Sequence, residues 1–337
     1  MNAALQKSLD VLRPYLGNSV DSLLSLLQSY PFISKSLIAF LAFSILRTVN
    51  RTLSSQAVNN WQSQRPWDNK RELVLLTGGC SGIGKHIMME LAEKGVKVVI
   101  LDLNEPTVKL PPNVFFYKAD VTSTANIKVV GDAIRAAHGD PTVLVNNAGV
   151  GYEGTILDEP EEKIQQTFQV NTISHFWMVR EFLPAMIREN HGHVITIASM
   201  ASFVALGEMA DYSGSKASAL AFHESLTQEL RLWYKAKKVR TSIIHPLWVR
   251  TPMIQQLTKP GSVFNMPLMT IEVVSNAVVK QILSQRSGQV ILPPGRSGLS
   301  LLRAFPTWLQ ERARGVGSKR LKALRDMDTE LKQQSNN

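Results

Sequence analysis

From Arg71 to Leu292 the chain alternates short apolar runs with longer stretches in which apolar positions recur every three or four residues. The first pattern belongs to strands and the second to amphipathic helices. Glu72 to Thr77, Val96 to Leu101, Val114 to Ala119, Thr142 to Val145, His193 to Ala198, Val239 to Ile244 and Gln289 to Leu292 read as seven strands. Helical spacing covers Lys85 to Lys94, Thr124 to His138, Glu161 to Val170, Thr172 to Arg188, Tyr212 to Trp233 and Val273 to Leu283. Such alternation specifies the α/β class: one doubly wound, mostly parallel sheet of about seven strands with helices on both faces. Ligands of such sheets gather beyond the carboxyl ends of the strands. Gly78, Asp102, Asp120, Asn146, Ser199 and Pro246 all fall there.

The flanks carry a different pattern. Leu5, Leu9, Leu12, Leu16, Val20, Leu23 and Leu27 keep a helical period, so residues 1–30 read as an amphipathic segment. Ser36 to Leu46 is apolar and bracketed by Lys35 and Arg47, but it is shorter than the roughly 20 residues that span a bilayer. It suits a shallow anchor, or a marginal span if Phe32 and Ile33 join it and Lys35 snorkels. A cleaved signal peptide fits less well, because the run starts far from the amino terminus; a helix docked on the folded domain is the alternative. Residues 1–53 are therefore assigned to a membrane-associating segment, the polar stretch 54–70 to a linker, 71–295 to the folded domain and 296–337 to a basic amphipathic segment.

Composition narrows the partners. The chain of 337 residues has 37 basic and 27 acidic side chains, a net charge of +10, which points to nucleic acid or an anionic membrane. The excess is concentrated near the carboxyl terminus. Arg296, Arg303, Arg312, Arg314, Lys319, Arg320, Lys322 and Arg325 stand against Glu311 and are interleaved with Leu301, Leu302, Phe305, Trp308 and Leu309. Basic residues beside an apolar, Trp-bearing face suit a membrane surface, a solvated basic tail being the plainer reading. No nucleic-acid motif accompanies the charge. Cys80 is the only cysteine, so no intrachain disulfide forms and a cytosol-facing location is allowed. The seven histidines are scattered without ligand spacing, so no metal site is expected.

Two stretches carry chemistry. The first predicted strand runs into Gly78-Gly79-Cys80-Ser81-Gly82-Ile83-Gly84 and then a helix; glycines let the backbone approach a pyrophosphate whose charge meets the helix amino terminus. The spacing is G-x-x-x-G-x-G. Asp102 ends the second strand 18 residues after Gly84, where a carboxylate accepts the adenosine ribose hydroxyls and repels a 2′-phosphate, which favours NAD over NADP. The second stretch is Tyr212-Ser213-Gly214-Ser215-Lys216. A Tyr and a Lys four residues apart share one helix face, and a phenol that titrates near ~10 needs a cation to exchange a proton at neutral pH.

Together, Thr77 to Gly84, Asp120-Val121, Asn146-Asn147-Ala148-Gly149, Asn171, Ser199 and Tyr212 to Lys216 resemble the short-chain dehydrogenase/reductase superfamily, over about residues 72 to 292. The likeness is to its membrane-associated branch of retinol dehydrogenases and lipid-droplet hydroxysteroid dehydrogenases, which also carry an apolar amino-terminal segment. The resemblance implies a Rossmann-type fold and the following roles. Tyr212 is the general acid/base, Lys216 lowers its pKa and holds the nicotinamide ribose, Ser199 stabilises the substrate oxygen, and Asn171 holds a water in the proton relay. Gly78, Ser81, Gly82, Ile83 and Gly84 cradle the dinucleotide. Asn146, Asn147, Ala148 and Gly149 line its groove, Asp120-Val121 contacts the adenine, and Val249 and Thr251 bind the carboxamide. Where the family has Pro-Gly-x-Val-x-Thr this chain has Pro246-Leu247-Trp248-Val249-Arg250-Thr251, and Leu247 restricts the backbone there.

The reading is an NAD-dependent dehydrogenase/ketoreductase for an apolar, lipid-like alcohol or carbonyl of retinoid, steroid or long-chain type. It sits on the endoplasmic reticulum or a lipid droplet with its catalytic domain facing the cytosol, and both ends of the chain dock on one membrane face. A homodimer rests on analogy alone. An NADP-dependent reductase of the same fold and a non-catalytic dinucleotide-binding scaffold stay open as alternatives. The stretch Ile254 to Met269, which would shape the substrate pocket, carries no informative chemistry.

Overall fold

A computed structural model describes residues 30–63, 65–255 and 266–335; the amphipathic stretch expected before Tyr30 and the middle of the 254–269 loop lie outside the described residues. The chain divides into two units, residues 1–57 and 58–337. The described part of the first is helix α1, Pro31–Val58. Its apolar side chains, among them Phe32, Ile38, Phe40, Phe43 and Leu46, are exposed. From Lys35 to Val58 it is long and apolar enough to cross a membrane. The helix outruns the apolar core because neither Gly nor Pro occurs between Phe32 and Val58. It therefore takes in the first five residues of the stretch expected as a linker.

The second unit is built on strands β1 (Leu73–Thr77), β2 (Lys97–Asp102), β3 (Val114–Lys118), β4 (Val143–Asn146), β5 (Gly192–Ile197), β6 (Val239–Pro246) and β7 (Gly288–Leu292). They form one sheet in the order β3-β2-β1-β4-β5-β6-β7, every pair parallel. Its helices are α2 (Gly82–Glu93), α3 (Thr124–His138), α4 (Glu161–Phe168), α5 (Ser174–Glu189), α6 (Ala210–Leu232) and α7 (Ile271–Ser284), with α8 (Thr307–Ser335) after the sheet. Side chains alternate across β1: Val74 and Leu76 join the core under α2 and α7, while Leu75 joins the core under α3, α5 and α6. This two-faced burial is what a near-continuous apolar strand is for.

Two regions depart from the simple pattern. Between α4 and α5 the chain makes a π turn, Gln169–Ile173, with Asn171 at its centre. The stretch after α1 is bound into the domain. Arg240, fully buried at the start of β6, donates from Nη1 to the Asn59 carbonyl at 2.6 Å and from Nη2 to the Gln62 carbonyl at 2.8 Å. The side chain of Asn59 also accepts from the Ser287 amide at 2.9 Å. A buried guanidinium needs acceptors, and these main-chain carbonyls supply them.

Candidate active site

Beyond the carboxyl ends of β1, β2, β4, β5 and β6 lies a cavity of about 1520 Å³. Gly78, Ser81, Gly82, Ile83 and Gly84 line it, together with Asp102, Asp120, Val121, Asn147, Ala148, Gly149, Val249 and Thr251. Gly84 tolerates no side chain, since a Cβ there would stand 2.0 Å from the Gly78 carbonyl oxygen. Asn147 braces this turn by donating to the carbonyls of Thr77 at 2.9 Å and Gly78 at 3.1 Å. Asn146 corrects the expectation: it is the last rung of β4, in register with Thr196, and its buried side chain is not part of the cavity wall.

Tyr212, Ser199 and Lys216 meet in the floor of the same cavity. Ser199 follows β5, and its Oγ accepts the Ala201 amide at 3.1 Å, so the 3₁₀ turn Met200–Ser202 caps on it. Lys216 is buried one turn after Tyr212 on α6. Its Nζ donates to the Ile197 carbonyl at 3.0 Å and lies 5.7 Å from the Tyr212 ring centre. Burial lowers the Lys216 ammonium to about 8 and pushes the Tyr212 phenol up, against a hydrogen bond with Ser199 that lowers it. Asn171 is fully buried behind the floor. Its Oδ1 accepts the Val150 amide at 2.9 Å, and its Nδ2 donates to the Val150 carbonyl at 2.8 Å and to Ser215 Oγ at 3.1 Å. Its side chain thus ties the Val150 main chain to Ser215 on α6.

Leu247 leaves the adjacent loop in ordinary geometry. Its amide donates to the Leu292 carbonyl at 2.9 Å, and Val249 bridges Met269. The contribution of α8 to the far wall was not foreseen as part of the site. After β7 a 3₁₀ segment, Pro294–Ala304, and then α8 bring Leu299, Leu302, Val316, Leu321 and Leu324 to the cavity. Gly207 donates its amide to Ser318 Oγ at 2.9 Å, and Arg325 pairs with Asp158 at 2.5 Å. The signal was present as a stripe at 313, 316, 317, 321 and 324, three or four residues apart, but the surrounding basic residues obscured it. Leu301, Phe305 and Trp308 are exposed.

The profile of the short chain dehydrogenases matches residues 72–262. The chain belongs to that family. Among its relatives, dehydrogenase RED2 of Cochliobolus heterostrophus is 41% identical over 201 residues, 59% of this chain and 76% of that protein. Human estradiol 17-beta-dehydrogenase 11 is 32% identical over 249 residues, 72% of this chain and 80% of the relative. Human 17-beta-hydroxysteroid dehydrogenase 13 is 31% identical over 253 residues, covering 73% and 81%. The ligand-free aldohexose dehydrogenase of Thermoplasma acidophilum shares the fold at 21% identity and a TM-score of 0.58, covering 66% of this chain and 92% of that one.

As a short-chain dehydrogenase the protein is an NAD(P)-dependent oxidoreductase, and the groove fits a dinucleotide on three grounds. No side chain caps the amino terminus of α2 at Ser81, so its first amides face the groove as an anion site. Asp102 accepts one backbone amide on each oxygen, from Cys80 at 2.9 Å and Asn104 at 3.0 Å. A carboxylate has about four acceptor sites, so about two remain for hydroxyls. Pockets for one small molecule run to about 1,000 Å³, and this cavity exceeds that, leaving room for a second reactant.

Proposed function

We propose that this dehydrogenase oxidises an apolar, lipid-like secondary alcohol, or reduces the matching ketone, with NAD at a membrane. The observation that carries the reading is the cavity itself, which is lined by Tyr212, Ser199 and Lys216 and, from the carboxyl-terminal stretch, by Leu299, Leu302, Val316, Leu321 and Leu324 alongside Arg296, Arg320 and Arg325. A cluster of apolar side chains in the same cavity as the proton-transfer groups favours substrates that gain by desolvation. Names among the relatives carry estradiol and 17-beta-hydroxysteroid, which supports trying steroid-sized carbinols first.

In oxidation, Tyr212 takes the proton of the substrate hydroxyl, and Ser199 holds the oxygen whose charge develops. Lys216 keeps a cation behind the phenol and is available to the nicotinamide ribose. The bound dinucleotide would take up the hydride from the carbinol carbon. Gly78, Ser81, Gly82, Ile83 and Gly84 would hold its phosphates, Asp102 its ribose hydroxyls, Asp120 and Val121 the adenine, and Val249 and Thr251 the carboxamide. Asp102 favours NAD, because a 2′-phosphate would meet the carboxylate, and Lys85 does not line the cavity to offset it. Helix α1 would anchor the chain to the endoplasmic reticulum or a lipid droplet, with the catalytic domain on the cytosolic side. The test is turnover of a panel of apolar alcohols and ketones by the membrane fraction with each dinucleotide. NAD-dependent oxidation of at least one apolar alcohol is expected, and no turnover with either dinucleotide would overturn the reading.

A further inference from the structure

Strand β6 ends in His245-Pro246, and these two residues hold Ser199 from two sides. The last backbone rung between β5 and β6 is the Ala198 amide on the Ile244 carbonyl at 2.8 Å. The next rung would need an N–H at Pro246, which has none, so ladder support stops just short of Ser199. The His245 ring fills the gap, with Nδ1 lying 3.0 Å from the Ser199 carbonyl oxygen. A carbonyl only accepts, so Nδ1 carries the proton and Nε2 is an acceptor. On β7, the side-chain amide nitrogen of Gln289, a donor, stands 3.3 Å from Nε2. Both neighbours thus demand the same neutral tautomer. The ring is fully buried and packs on Phe203, 4.7 Å between centres, where the chain leaves the turn that begins at Ser199. Burial and the nearby Lys216 keep the imidazole uncharged near neutrality, with a pKa of about 4. Pro246 completes the hold, its carbonyl lying 3.5 Å from Ser199 Oγ.

We propose that His245 is a positioning residue for the reaction: through its Nδ1–H on the Ser199 carbonyl, with Gln289 fixing the tautomer, it aims the Ser199 hydroxyl at Tyr212 and the substrate oxygen. This rests on the dehydrogenase reading above. A loose Ser199 weakens the hydrogen bond that lowers the Tyr212 phenol, so two quantities move together, the rate and the titration of Tyr212.

His245→Phe keeps the ring volume and the packing on Phe203 but removes both nitrogens; His245→Asn restores a donor near Nδ1. In the full-length enzyme, His245→Phe should lower kcat about 10–100-fold, the scale of a misaimed catalytic group, with the NAD dissociation constant within about twofold of wild type. The Tyr212 titration midpoint, read from ¹³Cζ-labelled tyrosine with Tyr212→Phe as the assignment control, should rise. His245→Asn should recover most of both losses, and Gln289→Met should shift both in the same direction by less. A folded His245→Phe enzyme with unchanged kcat and unchanged Tyr212 midpoint overturns the proposal, as does a His245→Asn variant no better than His245→Phe. If His245→Phe fails to fold, Gln289→Met decides, and no change in either quantity then overturns it. If the wild type turns over no substrate, the proposed function fails, and the Tyr212 midpoint still tests the role of His245.

Discussion

Asn171 pairs with both main-chain groups of Val150, accepting its amide at 2.9 Å and donating to its carbonyl at 2.8 Å, much as a neighbouring strand would. The π turn around Asn171 aims the side chain this way, and Gly149, Val150 and Gly151 on the other side of the contact line the cavity. Asn171→Asp should therefore be more than a surface change. The carboxylate loses the Nδ2 donor and faces the Val150 carbonyl with like polarity. Unfolding in urea should show a loss of about 1–3 kcal/mol, and turnover should fall with it. Wild-type stability in that variant would show that the clamp is dispensable.

Tyr212→Phe should lower turnover about 10²–10⁴-fold, the usual loss for a general acid/base group, and leave NAD binding nearly intact. Lys216→Ala should also weaken NAD, because its Nζ is removed from beside Gly149, where an added Cβ would lie 3.5 Å from it. Steady-state kinetics and a direct binding titration separate the two. Tyr212→Phe turnover within about tenfold of wild type would exclude the phenol from proton transfer.

Asp102→Ser should shift preference from NAD toward NADP by relieving repulsion of the 2′-phosphate. A modest loss of stability should accompany it, since the carboxylate also accepts the Cys80 and Asn104 amides. Competitive titration with both dinucleotides reads the first effect. Tighter NADP binding by the wild type would reject the assignment.

The chain should tolerate removal of residues 1–57 better than removal of residues 1–69. The longer cut takes away Asn59 and Gln62, whose carbonyls hold the buried Arg240, and should cost about 1–3 kcal/mol more. Both shortened chains should lose most flotation with vesicles, because α1 is gone. Equal melting of the two would mean that the clasp adds nothing, and undiminished flotation would mean that the carboxyl-terminal segment is the main anchor.

Acid should expose the role of Glu72. Burial pushes its carboxyl up, but hydrogen bonds from His191, Thr142 and Arg71 prevail and bring it from 4.5 down to about 2. A group with a depressed folded pKa stabilises the protein above its unfolded pKa and loses that contribution as pH falls through the folded value. The loss should thus run between pH 4.5 and about 2, and amount to about 3 kcal/mol. Glu72→Gln should flatten this limb of the stability curve; an unchanged acid limb would remove Glu72 from the account.

Local pattern was enough to write down the sheet and much of what lines its cavity. Burial of a strand on both faces demands continuous Val, Ile and Leu, and helices show their period in any window of three turns, so seven strands and the elements between them stood in the sequence within a few residues. The glycine turn, Asp102, Ser199, Tyr212 and Lys216, all of which line the cavity, were legible from their position at strand ends, their short spacings and the family resemblance. Contacts between distant segments were not. Arg240 is a lone charge in an apolar strand until Asn59 and Gln62 fold over it. Asn171 stood out by resemblance, but its hold on Val150 exists only once a π turn aims it there. His245 reads as a strand-end histidine, and only the register of β5, β6 and β7 sets it between Ser199 and Gln289. The basic carboxyl-terminal helix hid its cavity-facing stripe for the same reason: which face of a helix is covered depends on what packs against it, and that is decided by the folded chain as a whole.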